Sequence, residues 1–318
     1  MGHPGWPIAY RPSSAIAASG AVTARYRKFG EPSAMAAKIP MKVLAALLIA
    51  VGAGLNSDTA AAAGKSAGLQ ADRIQISYVP PKNPAHEPIL KLLRERQVLE
   101  KFKGLLSPLR LPRPLMLRVE GCDGESNAWY EDDAVTVCYE YLDDILLTAP
   151  KETTPAGVTR TDAIMGPTLE VFLHEVGHAV FDYLSVPILG REEDAADQFA
   201  AYVLLQFAES DARRLIYGVA YTYNVDASKP STKKNPFADE HGLPAQRFYN
   251  VLCMAYGADS RLFVELVEKG YLPKERAEGC ADEYAQVAFA MKKLIRPYVD
   301  QKQAKRVRAK QWLRFDVQ

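Results

Sequence analysis

Histidine is scarce in this chain, with five among 318 residues, so two of them at ligand spacing carry weight. No apolar run reaches the ~20 residues that a bilayer span needs. The strongest candidate, Val43 to Leu55, is thirteen residues long and contains Gly52 and Gly54. Charge of one sign is not in excess: 39 basic residues face 38 acidic ones, which leaves no electrostatic case for nucleic acid. The four cysteines, Cys122, Cys138, Cys253 and Cys280, have no C-x-x-C spacing, so they do not form a paired-cysteine zinc site. There are no internal repeats, Gly-rich phosphate loop or nucleophile elbow, which removes solenoid, nucleotide-binding and serine-hydrolase readings.

What is present is His174-Glu175-Val176-Gly177-His178. At about 100° per residue, positions i and i+4 of a helix return to within about 40° of each other, so His174 and His178 project from one face. Two imidazoles so placed can hold one zinc ion, and Glu175, one step further round, can reach a water on the same metal as a general base. Shuffling this composition would produce His-acid-x-x-His only roughly 0.01 times per chain, so accident is a weak explanation.

A catalytic zinc normally takes three protein ligands and keeps the fourth position for water or substrate, so a third must come from elsewhere. The helix should reach about Leu184, and Ser185 to Gly190 reads as a turn. Glu192 to Glu209 then resumes a helical pattern, with Ala196, Phe199, Val203 and Phe207 on one face. Its opening turns offer Glu193 and Asp197 on a shared face. Glu193 is assigned to zinc, and Asp197 is expected to accept from the outer ring nitrogen of His174 and so fix its tautomer. Glu192 and Asp194 read as a solvated helix N-terminus.

In these residues the chain resembles the gluzincin metallopeptidases, particularly the branch of the CAAX prenyl proteases and the heat-shock membrane proteases. There the third ligand sits in a context similar to Glu193-Asp194-Ala195-Ala196-Asp197. That branch also carries a His-Pro-x-x-x-x-Arg element facing the transition state. Here His241 to Arg247 keeps the His-to-Arg spacing, with Gly242 where proline is usual. The chain also resembles a bacterial family of metallopeptidase-like proteins of unknown substrate, from about Asp72 to the C-terminal helix. The resemblance implies a zincin-like fold and a peptidase class, with no substrate attached.

His241 follows Asp226 to Glu240, a polar stretch that reads as a long loop. His241 and Arg247 could stabilise an oxyanion; the alternative is a surface histidine near a helix start with Arg247 in a salt bridge. His3 and His86 are read as non-functional. Upstream, strands are expected over Arg73 to Val79, Arg113 to Glu120, Asn127 to Tyr130 and Ala134 to Tyr139, and a helix over Pro88 to Leu105. Asn127-Ala128-Trp129 is similar in type and placement to the substrate-accepting edge strand of thermolysin-like enzymes, where a peptide adds as a further strand. The alternative is a structural hairpin.

Met41-Lys42, the apolar run and then Asn56 to Gly64, with cleavage after Ala63, have the zones of a secretory signal; an uncleaved anchor is the alternative. Residues 1–40 read as a mis-assigned start or a long leader, 41–63 as the signal peptide and 64–318 as the metallopeptidase domain. Removing residues 1–63, with 6 basic and 2 acidic residues, leaves 33 against 36. Export to the periplasm or beyond favours disulfides, expected as Cys122 with Cys138 and Cys253 with Cys280.

The expected fold is α+β: a small antiparallel sheet packed on the zinc-binding helix, plus a mainly helical C-terminal lobe with helices over Ser260 to Lys269 and Ala281 to Leu294. The basic tail Lys302 to Arg314 reads as a solvated helix end. The expected activity is hydrolysis of a peptide or protein substrate with one Zn2+ per chain, no nucleic acid and no stable membrane insertion of the mature domain. The rivals are an envelope binding protein on a degenerate protease fold, with or without zinc, and a zinc hydrolase of a non-peptide amide.

Overall fold

Continuous apolar runs go to the middle of a sheet and amphipathic ones to its edges. The computed structural model, which describes residues 73–231 and 235–309, follows this rule. Its strands are β1 (Ile74–Tyr78), β2 (Leu115–Glu120), β3 (Ala128–Glu131) and β4 (Ala134–Cys138). They form a four-stranded sheet in the order β1-β2-β4-β3. Every residue of β4 is buried, so it takes a central place, whereas the half-exposed β3 lies at the rim.

This placement corrects the expectation of an antiparallel sheet, because the sheet is mixed. β1 and β2 are parallel, as are β2 and β4, and only the β3–β4 pair is antiparallel. The two-residue turn between β3 and β4, Asp132-Asp133, has φ of 48° and 61°, the left-handed backbone of a tight hairpin. The hairpin folds outward, so β4 lands against β2 and runs in its direction.

The helices are α1 (Glu87–Glu95), α2 (Val98–Leu106), α3 (Tyr139–Thr148), α4 (Arg160–Leu184), α5 (Glu192–Leu204), α6 (Glu209–Ser228) and α7 (Pro244–Ala258). They are followed by α8 (Glu265–Glu268), α9 (Lys274–Ala277), α10 (Cys280–Ala290) and α11 (Gln301–Arg308). The chain is thus α+β. The single helix expected over Pro88 to Leu105 is instead α1 and α2, broken where Gln97 takes a left-handed conformation at φ 52°. The expected helix through Glu209 stops at Leu204, and only four residues of Ser260 to Lys269 are helical. α6 runs on to Ser228, which shortens the expected loop, and α10 continues into a π-helical turn over Met291–Ile295. The proposed signal peptide, residues 1–40, His3 and the end of the basic tail lie outside the described residues.

The 25-residue α4 is the axis of the molecule. Its start is fixed by a capping box in which the Thr159 side chain accepts from the Asp162 N–H and the Asp162 carboxylate accepts from the Thr159 N–H. Its end is fixed by Ser185 in the left-handed region at φ 49°. The sheet packs on one side of α4, and α5 and α6 pack on the others. Phe172, Leu173, Val176 and Val180 are wholly buried between these layers, each such side chain contributing ~1.5–3 kcal/mol of hydrophobic stabilisation. Two disulfides, Cys122–Cys138 and Cys253–Cys280, join the β2–β3 connector to β4 and α7 to α10. Among the described residues no helix is long and apolar enough to cross a membrane.

α6 crosses α4 at backbone contact: a Cβ added at Gly218 would lie 1.9 Å from the Asp162 carbonyl oxygen. Gly218→Ala is therefore expected to cost ~1–3 kcal/mol or more by overpacking, read as a lower urea midpoint with an unchanged slope. A variant as stable as the parent would contradict the close crossing.

Candidate metal centre

α4 carries the stripe Glu170, His174 and His178 at four-residue spacing, so one face of one helix presents a carboxylate and two imidazoles in a row. α5 approaches that face at Gly177. A Cβ there would lie 3.3 Å from Phe199 and 3.4 Å from the Ala196 backbone, so a larger residue would push α5 outward. This close approach brings Glu193 over the histidines. Glu193 Oε2 lies 3.0 Å from His174 Nε2 and 3.4 Å from His178 Nε2, and the two nitrogens are 3.2 Å apart.

Ligand atoms around a tetrahedral zinc, at metal distances of ~2.0–2.1 Å, stand about 3.3 Å from each other. The triangle of His174, His178 and Glu193 has that size. The outer nitrogens are also spoken for: His174 Nδ1 is 2.8 Å from Asp197 Oδ1, and His178 Nδ1 is 2.8 Å from Glu192 Oε1. With both Nδ1 atoms donating to carboxylates, two neutral imidazoles turn bare nitrogen lone pairs toward a carboxylate and toward each other. That arrangement is repulsive until a cation sits among them, so the donor set fits a metal.

In metal-free protein the relieving cation is a proton on His174. Burial disfavours a charged His174, but its hydrogen bonds to Asp197 and Glu193 outweigh that, and the imidazole is pushed up to about 10. Burial would raise Glu193, yet hydrogen bonds from His174, His178 and His241 hold it far below the usual carboxylate range. Asp197 is likewise driven down against its burial, by the Arg247 charge and by hydrogen bonds to His174 and Arg247. Glu175 differs: it is buried, no described residue donates to its carboxylate, and desolvation raises its pKa. A carboxylate in that state takes up a proton readily.

The two other site candidates from the downstream element lie in different layers. His241 is at the surface, 42% exposed, with Nε2 at 2.8 Å from Glu193 Oε2. Arg247 is underneath. Its Nε and Nη2 grip both oxygens of Asp197, and its guanidinium lies 4.5 Å over the Tyr223 ring. Of the two readings for Arg247, the structure gives the ion pair, so it is not an open oxyanion donor. Below it, Tyr223 donates to Glu170 at 2.6 Å, and Arg247 Nη2 is 3.6 Å from the same carboxylate.

Asn127, Ala128 and Trp129 sit at the outer rim of the sheet, Ala128 paired to Val137 and Trp129 to Thr136. The strand is tied to the metal-site helix one turn beyond His178, where Tyr130 donates to Asp182 at 2.6 Å. His86 is buried beside Tyr139, away from the metal triangle.

Three participants escaped the sequence reading. Glu192, exposed at the helix start as expected, is also the partner of His178. Glu170 had a usable signal in its spacing, four residues before His174. Tyr223 had none, since only the packing of α6 on α4 brings it there.

A family model described as "Putative metallopeptidase" (DUF4344) matches residues 78–295. The chain belongs to this metallopeptidase family. The matched span contains α4, α5 and α7, and with them every residue of the metal triangle and of the layer that orients it. No curated protein and no solved structure matches the chain.

Replacing either outer-nitrogen acceptor, by Asp197→Asn or Glu192→Gln, is expected to weaken zinc binding ~10–100-fold in a chelator competition. Unchanged affinity in both would show that neither carboxylate orients a ligand. The raised His174 also sets a pH dependence. Its contribution to stability in metal-free protein is complete below the unfolded value of ~6.5 and is lost as pH rises through about 10. The melting temperature of metal-stripped protein should therefore fall between those limits, and fall less with zinc bound. A metal-free protein with a flat profile over that window would contradict this.

Proposed function

We propose that the protein is an exported zinc-dependent peptidase in which His174, His178 and Glu193 hold the metal and Glu175 is the general base. The observation that supports this most directly is the triangle of 3.0, 3.2 and 3.4 Å between three ligand atoms, beside a buried carboxylate to which no described residue donates. A metal bound there by two neutral imidazoles and one carboxylate would carry a net positive charge, polarise a peptide carbonyl and acidify water.

The chain's own residues do the rest. Glu175 accepts the proton of the attacking water and passes it to the leaving amine nitrogen. Asp197 and Glu192 keep both imidazoles in the tautomer that leaves Nε2 free. Arg247 holds Asp197 with a two-point grip, and Glu170 and Tyr223 hold Arg247 from below. His241, exposed at the rim of the site and 2.8 Å from Glu193, would donate to the carbonyl oxygen as it gains charge by turning away from that carboxylate. β3 offers its unpaired edge to an extended peptide. Export is supported by the two disulfides and by the Met41 to Ala63 signal pattern.

The test is metal content and cleavage of unfolded casein by the purified protein, Glu193→Ala and Glu175→Gln. One zinc per chain is expected in the parent and in Glu175→Gln, and much less in Glu193→Ala. Glu175→Gln should lose ~10²–10⁴-fold in turnover. A zinc-free parent under metal-replete conditions would sink the enzyme reading, and full turnover by Glu175→Gln would remove the general base.

A further inference from the structure

Between the start of α5, α7 and α9 lies an open pocket of about 340 Å³, lined by Arg191, Gln246, Tyr249, Asn250, Pro273 and Arg276. Its lining is rich in hydrogen-bond donors and contains no carboxylate. Arg191 uses Nε and Nη2 on Asp194, which leaves Nη1. Arg276 uses Nη2 on Glu283 and Nη1 on Cys280 Sγ and retains Nε. Gln246 accepts from the Leu243 N–H through its side-chain oxygen, so its remaining capacity is the two N–H bonds of the amide. Asn250 and the Tyr249 hydroxyl complete the set.

Two short connections lead from the pocket to the metal triangle. Arg191 is two residues from Glu193 along α5. A side-chain carbon at Gly242 would lie 3.7 Å from Arg191 Nη2, and the preceding residue, His241, is 2.8 Å from Glu193. The pocket walls are also covalently joined. The Cys253–Cys280 disulfide ties α7 to α10 one turn beyond Asn250 and one turn beyond Arg276, so donors from two segments are held at fixed separation.

We propose that this pocket selects substrates by a carboxylate, supplied either by an Asp or Glu side chain near the cleaved bond or by the C-terminus of a peptide. The proposal rests on the peptidase reading and names its substrate class. Each of the two guanidinium groups keeps one nitrogen free, so together they can give a carboxylate two charge-assisted hydrogen bonds, one from each. A donor-lined pocket filled by a neutral analogue leaves those donors unmet, so discrimination against the uncharged partner is large.

The experiment measures binding without turnover, by fluorescence anisotropy on zinc-loaded Glu175→Gln protein. The probes are labelled Ala/Gly-based peptides in two matched pairs: an internal Glu against Gln, and a free C-terminus against its amide. At least ten-fold tighter binding of the charged member is expected in one pair, and the pair that shows it identifies the source of the carboxylate. Gln246→Glu keeps an acceptor for Leu243 while adding a like charge, so it should bring the ratio to near one with zinc content and melting temperature unchanged. Arg276→Gln should lower the ratio and Arg276→Lys restore part of it. Equal affinity of all four peptides, absence of any binding, or a preference that survives both Gln246→Glu and Arg276→Gln would overturn the proposal. Charge-selective binding together with a parent protein that cleaves none of these peptides and no casein would instead count against the peptidase reading and leave the pocket standing.

Discussion

Glu193 reaches the two histidines only because α5 comes to van der Waals contact with α4 at Gly177. A helix carrying His174 and His178 fixes two donors by its own geometry, but the third donor belongs to another element and must be delivered by packing. Ala196 and Phe199, buried against α4, set that separation to within a few tenths of an ångström. The metal triangle, the tautomers of both imidazoles and the position of His241 all follow from this one helix contact. Core packing transmits such constraints faithfully because interiors are dense and give little.

Beneath the triangle, charge alternates with depth: Glu193, His174, Asp197, Arg247 and then Glu170 with Tyr223. Burying any one of these groups alone would be costly, and removing one partner from a buried pair is strongly destabilising. The column is tolerable because each member meets an opposite charge or a donor at 2.5 to 3.6 Å. Its consequence is rigidity. Asp197 is gripped at both oxygens, so the imidazole it addresses has little freedom to turn, and a metal binding there need not spend its affinity on ordering the ligand.

Glu175 stands outside this column although it is the next residue after His174. The stripe of spacing four points one way and Glu175 about 100° from it, so it shares the burial but not the ion pairs. The same helix therefore holds carboxylates in different states: Glu175, raised by desolvation with no donor among the described residues, and Glu170, also raised but engaged by Tyr223. Two buried acids on one helix thus differ in what they can do because of what surrounds them.

The spacing within α4 was legible because a single helix converts sequence separation directly into angle, and His174, Glu175 and His178 need no other element to be related to one another. Glu193 and Asp197 were legible for the same reason, as an i, i+4 pair on a second amphipathic helix. Four cysteines allow three pairings, and the expected one, Cys122–Cys138 with Cys253–Cys280, is settled by which of them the packing brings together. The order of the strands was not legible, because the choice between a meander and an outward hairpin depends on which strand is buried on both faces. Arg247 could be found by spacing but its direction could not, since whether a guanidinium faces a cleft or a buried aspartate is decided by how α7 packs on α5. Glu192 as the His178 partner, Tyr223 under Arg247 and the donor-lined pocket between α5, α7 and α9 are contacts between elements far apart in the chain. Sequence alone determined which chemistry the residues could perform, through periodicities local to one helix. Tertiary packing alone decided which of them meet, because distances between elements are set by the shapes of the side chains that separate them.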